Sequence, residues 1–331
     1  MFQTIKIASY LTHLKLRHNL KHLLSSRLEW IWQMQCNKCR REAILFQEYS
    51  GQHLCRHHSE AEVEAKAKYE IRRHRWMVHG DNIAVALSGG KNSSALLYFL
   101  KKLTSDRRDI HLSAITIDEG IDGYSDPGCA MRIARALDIE CIPVSFLEGF
   151  GSTADGIALK KGSGFSRRYC SVLRNFLLNR IATEYGVTKL ALGKTLDDGA
   201  VSVLENILKG TPERLVGFKQ TGRRKIPHIH PFISIPQKEV ELYTDLHLDG
   251  CNLSGYPYKN DPFHGHVKTM LNDFALRHPA TKFALTNLGK NLAGTCSSID
   301  GLIPFCEQCG EPGDRICPGC RIMNEVTAYG F

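Results

Sequence analysis

The chain has 331 residues, 43% hydrophobic and 23% charged, a balance that excludes a disordered polymer and allows one ordinary domain plus small modules. A net charge of +9 and a pI near 8.9 favour an anionic partner, nucleic acid first. No apolar stretch approaches the roughly 20 residues of a membrane-spanning helix, so a membrane partner is not expected.

Residues 1–35 are basic, with Lys6, Lys15, Arg17, Lys21 and Arg27 against Glu29. They lack the continuous apolar core of a signal peptide and read as an extension in a loose helix, with a transit peptide as the alternative. Residues 36–60 follow as a metal module. Cys36-x-x-Cys39 and Cys55-x-x-His58 offer four soft or borderline ligands in two close pairs, the set that a tetrahedral structural Zn²⁺ needs. His57 competes, but C-x-x-H spacing favours His58. Residues 61–80 are charged and alanine-rich and read as a solvated connecting helix; Arg72, Arg73, His74 and Arg75 near its end could touch RNA phosphates.

The segment 81–245 alternates strands with helices. Ile83 to Leu87 is a short apolar run, read as a buried strand. It ends in Ser88-Gly89-Gly90-Lys91-Asn92-Ser93-Ser94, and a helix with Leu96, Phe99, Leu100 and Leu103 on one face follows. Two glycines let backbone N–H groups converge, Ser93 or Ser94 can cap the helix, and Lys91 adds a charge, so the loop suits a phosphate or pyrophosphate. It is not G-x-x-x-x-G-K-[ST]. His111 to Ile117 is a second strand, opening into Asp118-Glu119-Gly120-Ile121. A helix with Ala130, Ile133, Ala134 and Leu137 on one face precedes a third strand near Ile139 to Val144. A helix with Leu173, Phe176, Leu177 and Ile181 leads to a fourth strand, Lys189 to Leu192. The next helix is expected to turn Ala200, Val203, Leu204, Ile207 and Leu208 inward. Such alternation predicts a doubly wound parallel α/β sheet with ligands outside the carboxyl ends of its strands. The phosphate loop, Asp118 and the stretch from Gly193 to Asp198 should therefore meet at one sheet edge.

Residues 246–300 read as a helical segment and 301–331 as a zinc ribbon, through Cys306-x-x-Cys309 and Cys317-x-x-Cys320. These metal-type spacings, in a chain of twelve cysteines, argue for zinc in a reducing, cytoplasmic compartment rather than for disulfides. Lys160, Lys161, Arg167 and Arg168 form one basic run, and Lys219, Arg223, Arg224 and Lys225 another ahead of His228 and His230. Runs of this kind suit RNA phosphates.

The loop Ser88 to Ser94 resembles the S-G-G-x-D-S pyrophosphate loop of the PP-loop ATPases. Asp118-Glu119-Gly120-Ile121-Asp122-Gly123-Tyr124 resembles I-x-E-G-I-x-G-Y of the tRNA 2-thiolation proteins. Gly193-Lys194-Thr195-Leu196-Asp197-Asp198 resembles their G-H-N-L-D-D, Asn206, Leu208 and Gly210 their N-x-L-x-G, and Pro231 to Val240 their P-L-R-x-I-P-E-K-E-V. From Cys36 onward the chain is identified as a member of that two-zinc-finger group. The resemblance implies an adenine nucleotide alpha hydrolase-like, Rossmann-like core between two zinc modules. It implies ATP bound at Ala86, Leu87, Ser88, Gly89, Gly90, Lys91, Asn92, Ser93, Ser94, Ile117, Asp118, Gly193 and Asp198. Asp197 or Asp198 would hold Mg²⁺ or orient the base. The implied reaction is attack of a tRNA uridine C2 oxygen on the α-phosphate, then displacement of AMP by sulfur. Cys170, Asp197 and Lys91 are its expected catalytic residues, and Lys160, Lys161, Arg168, Arg174, Arg223, Arg224 and Lys225 its expected tRNA contacts. The sulfur donor would be sulfide, a persulfide or a ubiquitin-like carrier protein, and a homodimer is compatible.

Several positions depart from the family pattern. Asn92 replaces the loop Asp, Lys194-Thr195 replaces His-Asn, and Gly199 replaces Glu. Many members hold an iron–sulfur cluster on three cysteines; here the matching positions are Arg167, Cys170 and Tyr256, with Cys251 nearby. One thiolate does not hold a four-iron cluster. Cys170 is then either a persulfide carrier, activated by Arg167, Arg168 and Arg174, or a small apolar residue. The alternative function is a paralogue that binds ATP and tRNA without thiolating.

Overall fold

The computed structural model describes residues 34–123, 127–162, 167–211, 226–248, 262–296, 306–308 and 315–328, without the side chains of 167, 168, 262, 293–296, 318, 327 and 328. The basic extension up to residue 33, and Tyr124, Lys219, Arg223, Arg224, Lys225, Cys251, Tyr256 and Cys309, lie outside the described residues. The described chain divides into two compact units after Ser59.

The first unit holds a two-stranded antiparallel ribbon, β1 (Leu45–Gln47) and β2 (Gln52–Leu54). Leu45 and Leu54 pair across it and are buried. Gly51, at φ +67°, takes the left-handed position of the turn between them.

The second unit is built on a five-stranded parallel sheet. Its strands are β3 (Asn82–Ala86), β4 (His111–Asp118), β5 (Cys141–Ser145), β6 (Lys189–Ala191) and β7 (His228–Ile229), in the order β5-β4-β3-β6-β7. Ile83, Ala84 and Val85 are fully buried, as a central parallel strand covered on both faces requires. The chain winds outward from β3 to β5, then returns to lay β6 on the other side of β3. The order therefore switches between β3 and β6, which is where ligands bind in open α/β sheets.

The helices are α1 (Arg56–His74), α2 (Lys91–Thr104), α3 (Pro127–Ala136), α4 (Phe146–Phe150), α5 (Ala154–Lys161), α6 (Arg167–Glu184), α7 (Leu196–Leu208), α8 (Gln237–His247), α9 (Pro262–Arg277), α10 (Thr281–Cys296) and α11 (Pro318–Ala328). On one sheet face, α2 buries Leu96, Phe99 and Leu100, and α3 buries Ala130, Ile133 and Ala134. On the other, α6 buries Leu173, Leu177 and Ile181.

Three expectations need correction. The helix after the zinc module is not solvated all round: Val63, Ala67 and Ile71, spaced four apart, are buried in the core of the second unit. That stripe is narrow and hidden among charges in the sequence, and buried Glu64 is held by Lys68 and Lys102. Phe176 is 43% exposed, at the margin of its apolar face with its ring 6.2 Å from Phe150. Ile207 and Leu208, in the last turn of α7, are exposed.

The two strands at the switch are tied at their amino ends. Lys189 donates to both Asp81 oxygens at 2.5 Å, and Thr188 Oγ1 donates to Oδ1. Burial pushes the Asp81 carboxyl up, but Lys189, the Val78 N–H and Thr188 outweigh it and hold the pKa below its ordinary 3.8. A lowered folded-state pKa means that this stabilisation is present at neutral pH and is lost as pH falls below about 4. Lys189→Met, which leaves Asp81 buried without its counter-ion, is expected to cost about 3–5 kcal/mol. Urea unfolding at pH 7 and pH 3 checks it: the midpoint difference from wild type should be large at pH 7 and shrink at pH 3.

Candidate active site and metal centres

The loop from Ser88 to Gly90 leaves the carboxyl end of β3 and turns into α2. Gly89 has φ +78°, and a Cβ there would lie 3.3 Å from the Cys129 sulfur, so glycine is needed twice. Cys129 is buried and disulfide-bonded, against the expectation of metal-type cysteines alone; eight other described cysteines are free. Gly90 is the N-cap of α2, and no side chain caps that end. The expected Ser93 or Ser94 cap is not formed. Both hydroxyls instead donate to the Gly90 carbonyl at 3.0 Å, and Ser93 Oγ also accepts from the Ser88 N–H. A helix start without a side-chain oxygen over it keeps its partial positive charge for a ligand. Lys91, at the first helical position, pairs with Asp245 of α8 at 2.7 Å, and the Thr244 hydroxyl donates to the Lys91 carbonyl.

Across the switch, Gly193 follows β6 and lies against the loop: a Cβ there would sit 2.8 Å from the Asn92 carbonyl carbon and oxygen and 2.9 Å from the Ser93 nitrogen. The structure thus brings Ser88 to Ser94 together with Gly193. After β4, Asp118 accepts from the Gly120 N–H at 2.8 Å, and Gly120 adopts φ +63° with Thr153 closely packed against it. Arg174 forms an ion pair with buried Glu119.

Asp197 and Asp198 are both engaged. Asp198 accepts from the Thr195 N–H and hydroxyl, a reciprocal cap on α7. Asp197 accepts from the Gln237 N–H at 2.8 Å and from Lys282 at 2.5 Å. Lys194 lies between Gly193 and this cap and keeps an exposed surface. Burial lowers its pKa, opposed by Asp198. His230, one residue past β7, is pushed well below the usual histidine value by burial and then by Lys194. Its Nδ1 is buried without a hydrogen-bond partner. The sequence shows both residues but not their nearness, which depends on β6 and β7 being neighbours.

Among the expected RNA contacts, Lys160 is exposed, whereas Lys161 pairs with Glu325 at 2.8 Å and Arg174 with Glu119. Cys170 is fully buried in the apolar cluster that holds Leu173 and Leu177, surroundings that support the packing role. Position 167 carries an arginine, and among the described residues Cys170 belongs to no group of metal-ligand side chains. The described donors therefore do not fit a three-cysteine iron–sulfur cluster.

Two groups of ligand atoms do converge. Cys36, Cys39, Cys55 and His58 place theirs within 4.8 Å of one another, with Cys36 Sγ 3.3 Å from His58 Nδ1. Burial pushes the Cys36 thiol up, but backbone groups of Cys55, Lys38 and Cys39 and the His58 side chain bring it down to about 6, towards the thiolate that binds metal. Cys306, Cys317 and Cys320 converge likewise, with two of the three buried. Both donor sets fit zinc.

A glycine turn into an uncapped helix at the switch of a parallel sheet suits a nucleotide phosphate, and a family model described as a PP-loop domain, matching residues 59–249, puts the chain in the PP-loop class. A second, described as the N-terminal LIM domain of the 2-thiouridine synthetase TtuA, matches residues 35–58. The chain belongs to the tRNA 2-thiolation protein family. It is 30% identical to the tRNA 2-thiolation protein NcsA of Haloferax volcanii, over 89% of this chain and all of that one. It is 31% identical to the cytoplasmic tRNA 2-thiolation protein 1 of Bos taurus, over 88% of each. The U34-tRNA thiolase NcsA of Methanococcus maripaludis, solved with its [4Fe-4S] cluster, superposes with a TM-score of 0.76 at 26% identity, covering 88% of this chain and 96% of that one.

Proposed function

We propose that this chain is an ATP-dependent tRNA uridine 2-thiolase. The observation that carries the reading is the open start of α2 beside Gly193, in a chain of the thiolation family. The N–H groups there hold the β- and γ-phosphates of ATP, and Lys91 leaves Asp245 to join them as charge develops. The uridine C2 oxygen attacks the α-phosphorus, the α–β bond breaks and pyrophosphate leaves. A sulfur nucleophile then adds at C2, and AMP leaves with the former C2 oxygen. Asp197 and Asp198 shape the adjoining wall by fixing the start of α7, so Mg²⁺ is held mainly through the phosphates of ATP.

The sulfur comes from an external donor, because Cys170 presents no open face. Zinc fills both cysteine groups in a structural role. The tRNA backbone meets basic residues that include exposed Lys160, and its binding weakens with salt. A cytoplasmic location suits the free cysteines. No observation favours the reading in which ATP and tRNA bind without thiolation.

The test is mass spectrometry of nucleosides from tRNA incubated with the protein, ATP, Mg²⁺ and sulfide without oxygen. Thiouridine is expected with the complete mixture and absent when ATP is withheld. Binding of both ATP and tRNA with no thiouridine under any sulfur source would overturn the reading.

A further inference from the structure

Two groups beside the switch of the sheet are incompletely satisfied by the fold. Lys194 stands beside the loop, one residue after the glycine that touches Asn92 and Ser93. The carboxylate that acts on it, Asp198, is already bonded twice to Thr195. His230 follows β7 where that strand runs beside Leu192, two residues before Lys194. Its Nδ1 is buried with no hydrogen-bond partner. A polar nitrogen left bare beside an under-compensated ammonium is a half-site. It asks for an anion at the lysine and a hydroxyl at the histidine. A nucleoside phosphate carries both.

We propose that Lys194 is a further catalytic residue, whose ammonium binds the α-phosphate of the nucleotide while His230 Nδ1 accepts from a nucleoside hydroxyl. The inference rests on the ATP reading above. It assigns the phosphates to two elements, with pyrophosphate on the start of α2 and Lys91, and the α-phosphate on Lys194 across the switch. Charge on the non-bridging α-oxygens grows as the uridine oxygen attacks, so an ammonium placed there stabilises the transition state more than bound ATP.

The experiment compares AMP and pyrophosphate binding by calorimetry in wild type, Lys194→Ala, Lys194→Arg and His230→Phe, with melting temperatures to confirm folding. Lys194→Ala is expected to weaken AMP by about tenfold or more, the worth of a charge-assisted hydrogen bond, while pyrophosphate changes less than about twofold. Lys194→Arg should recover most of the AMP affinity, and His230→Phe should weaken AMP but not pyrophosphate. In tRNA-dependent AMP release, Lys194→Ala should lower kcat by about a hundredfold with a smaller change in the KM for ATP. AMP affinity unchanged in Lys194→Ala, or AMP and pyrophosphate weakened equally, would overturn the assignment. If Lys194→Ala does not fold, Lys194→Gln takes its place in the same comparison. Wild type that releases no AMP would sink the adenylation reading, and the AMP and pyrophosphate comparison would still decide the role of Lys194.

Discussion

The double variant Cys36→Ser/Cys39→Ser is expected to bind one zinc equivalent fewer than the wild type and to unfold residues 34–59. The first unit has a two-stranded ribbon of three residues each and few buried apolar side chains, Leu45 and Leu54 among them. Segments below about 40 residues do not usually fold on such a core without a metal or cross-link. A structural zinc site contributes about 10–16 kcal/mol of apparent binding energy at neutral pH, which exceeds what two buried leucines supply. The second unit has its own apolar clusters, so its unfolding transition should stay within a few degrees of wild type. Metal analysis counts the lost ion, and limited proteolysis locates new cleavage within 34–59. A variant that keeps the wild-type zinc content, or whose first unit stays protease-resistant without its zinc, would show that the module does not depend on this ion.

Gly193→Ala should have the second large effect. Its Cβ would meet the backbone of Asn92 and Ser93 at 2.8 to 2.9 Å, nearer than real Cβ atoms approach. The obstacle is main chain, so no rotamer change relieves it, and the loop or the end of β6 has to move. Overpacking of this kind costs about 1–3 kcal/mol. The larger loss is in function, because displacing the phosphate-binding amides by up to about 1 Å can lower turnover by about a hundredfold. Tight pyrophosphate binding should be lost in parallel. Gly265→Ala is the control: its Cβ meets nothing within 4 Å, and within a helix alanine is favoured over glycine. Pyrophosphate affinity and melting temperature of the two variants check the expectation. Wild-type affinity in Gly193→Ala would mean that the loop does not need its seat against β6.

The parts of the site that were legible in the sequence are those in which chemistry and periodicity coincide. An apolar run ending in Ser88-Gly89-Gly90-Lys91 announces a strand, a tight turn and a helix start together, and all three form. The convergence of Cys36, Cys39, Cys55 and His58 reads directly from spacing because short-range chain geometry brings each pair together. What stayed hidden depends on tertiary placement. The strand β7 has two residues, too few for a pattern, yet it carries His230 to the side of β6. The pairing of Lys91 with Asp245 and of Asp197 with Lys282 spans more than 80 residues, and no local signal marks it. The ribbon β1–β2 and the short helices α4 and α5 carry no such signal either, since three to eight residues give little periodicity. Serine caps helices well, yet in the first turn the Ser93 and Ser94 hydroxyls reach back to Gly90 instead.

The most direct test of the account is which bond of ATP the protein breaks, and whether tRNA is needed. Purified protein is incubated with ATP labelled at the α-phosphate, with and without tRNA, and products are separated. Labelled AMP that forms only with tRNA, alongside one pyrophosphate each, is the predicted result. Labelled ADP, or AMP formed equally without tRNA, would contradict the account, because the phosphate loop would then be serving a different reaction.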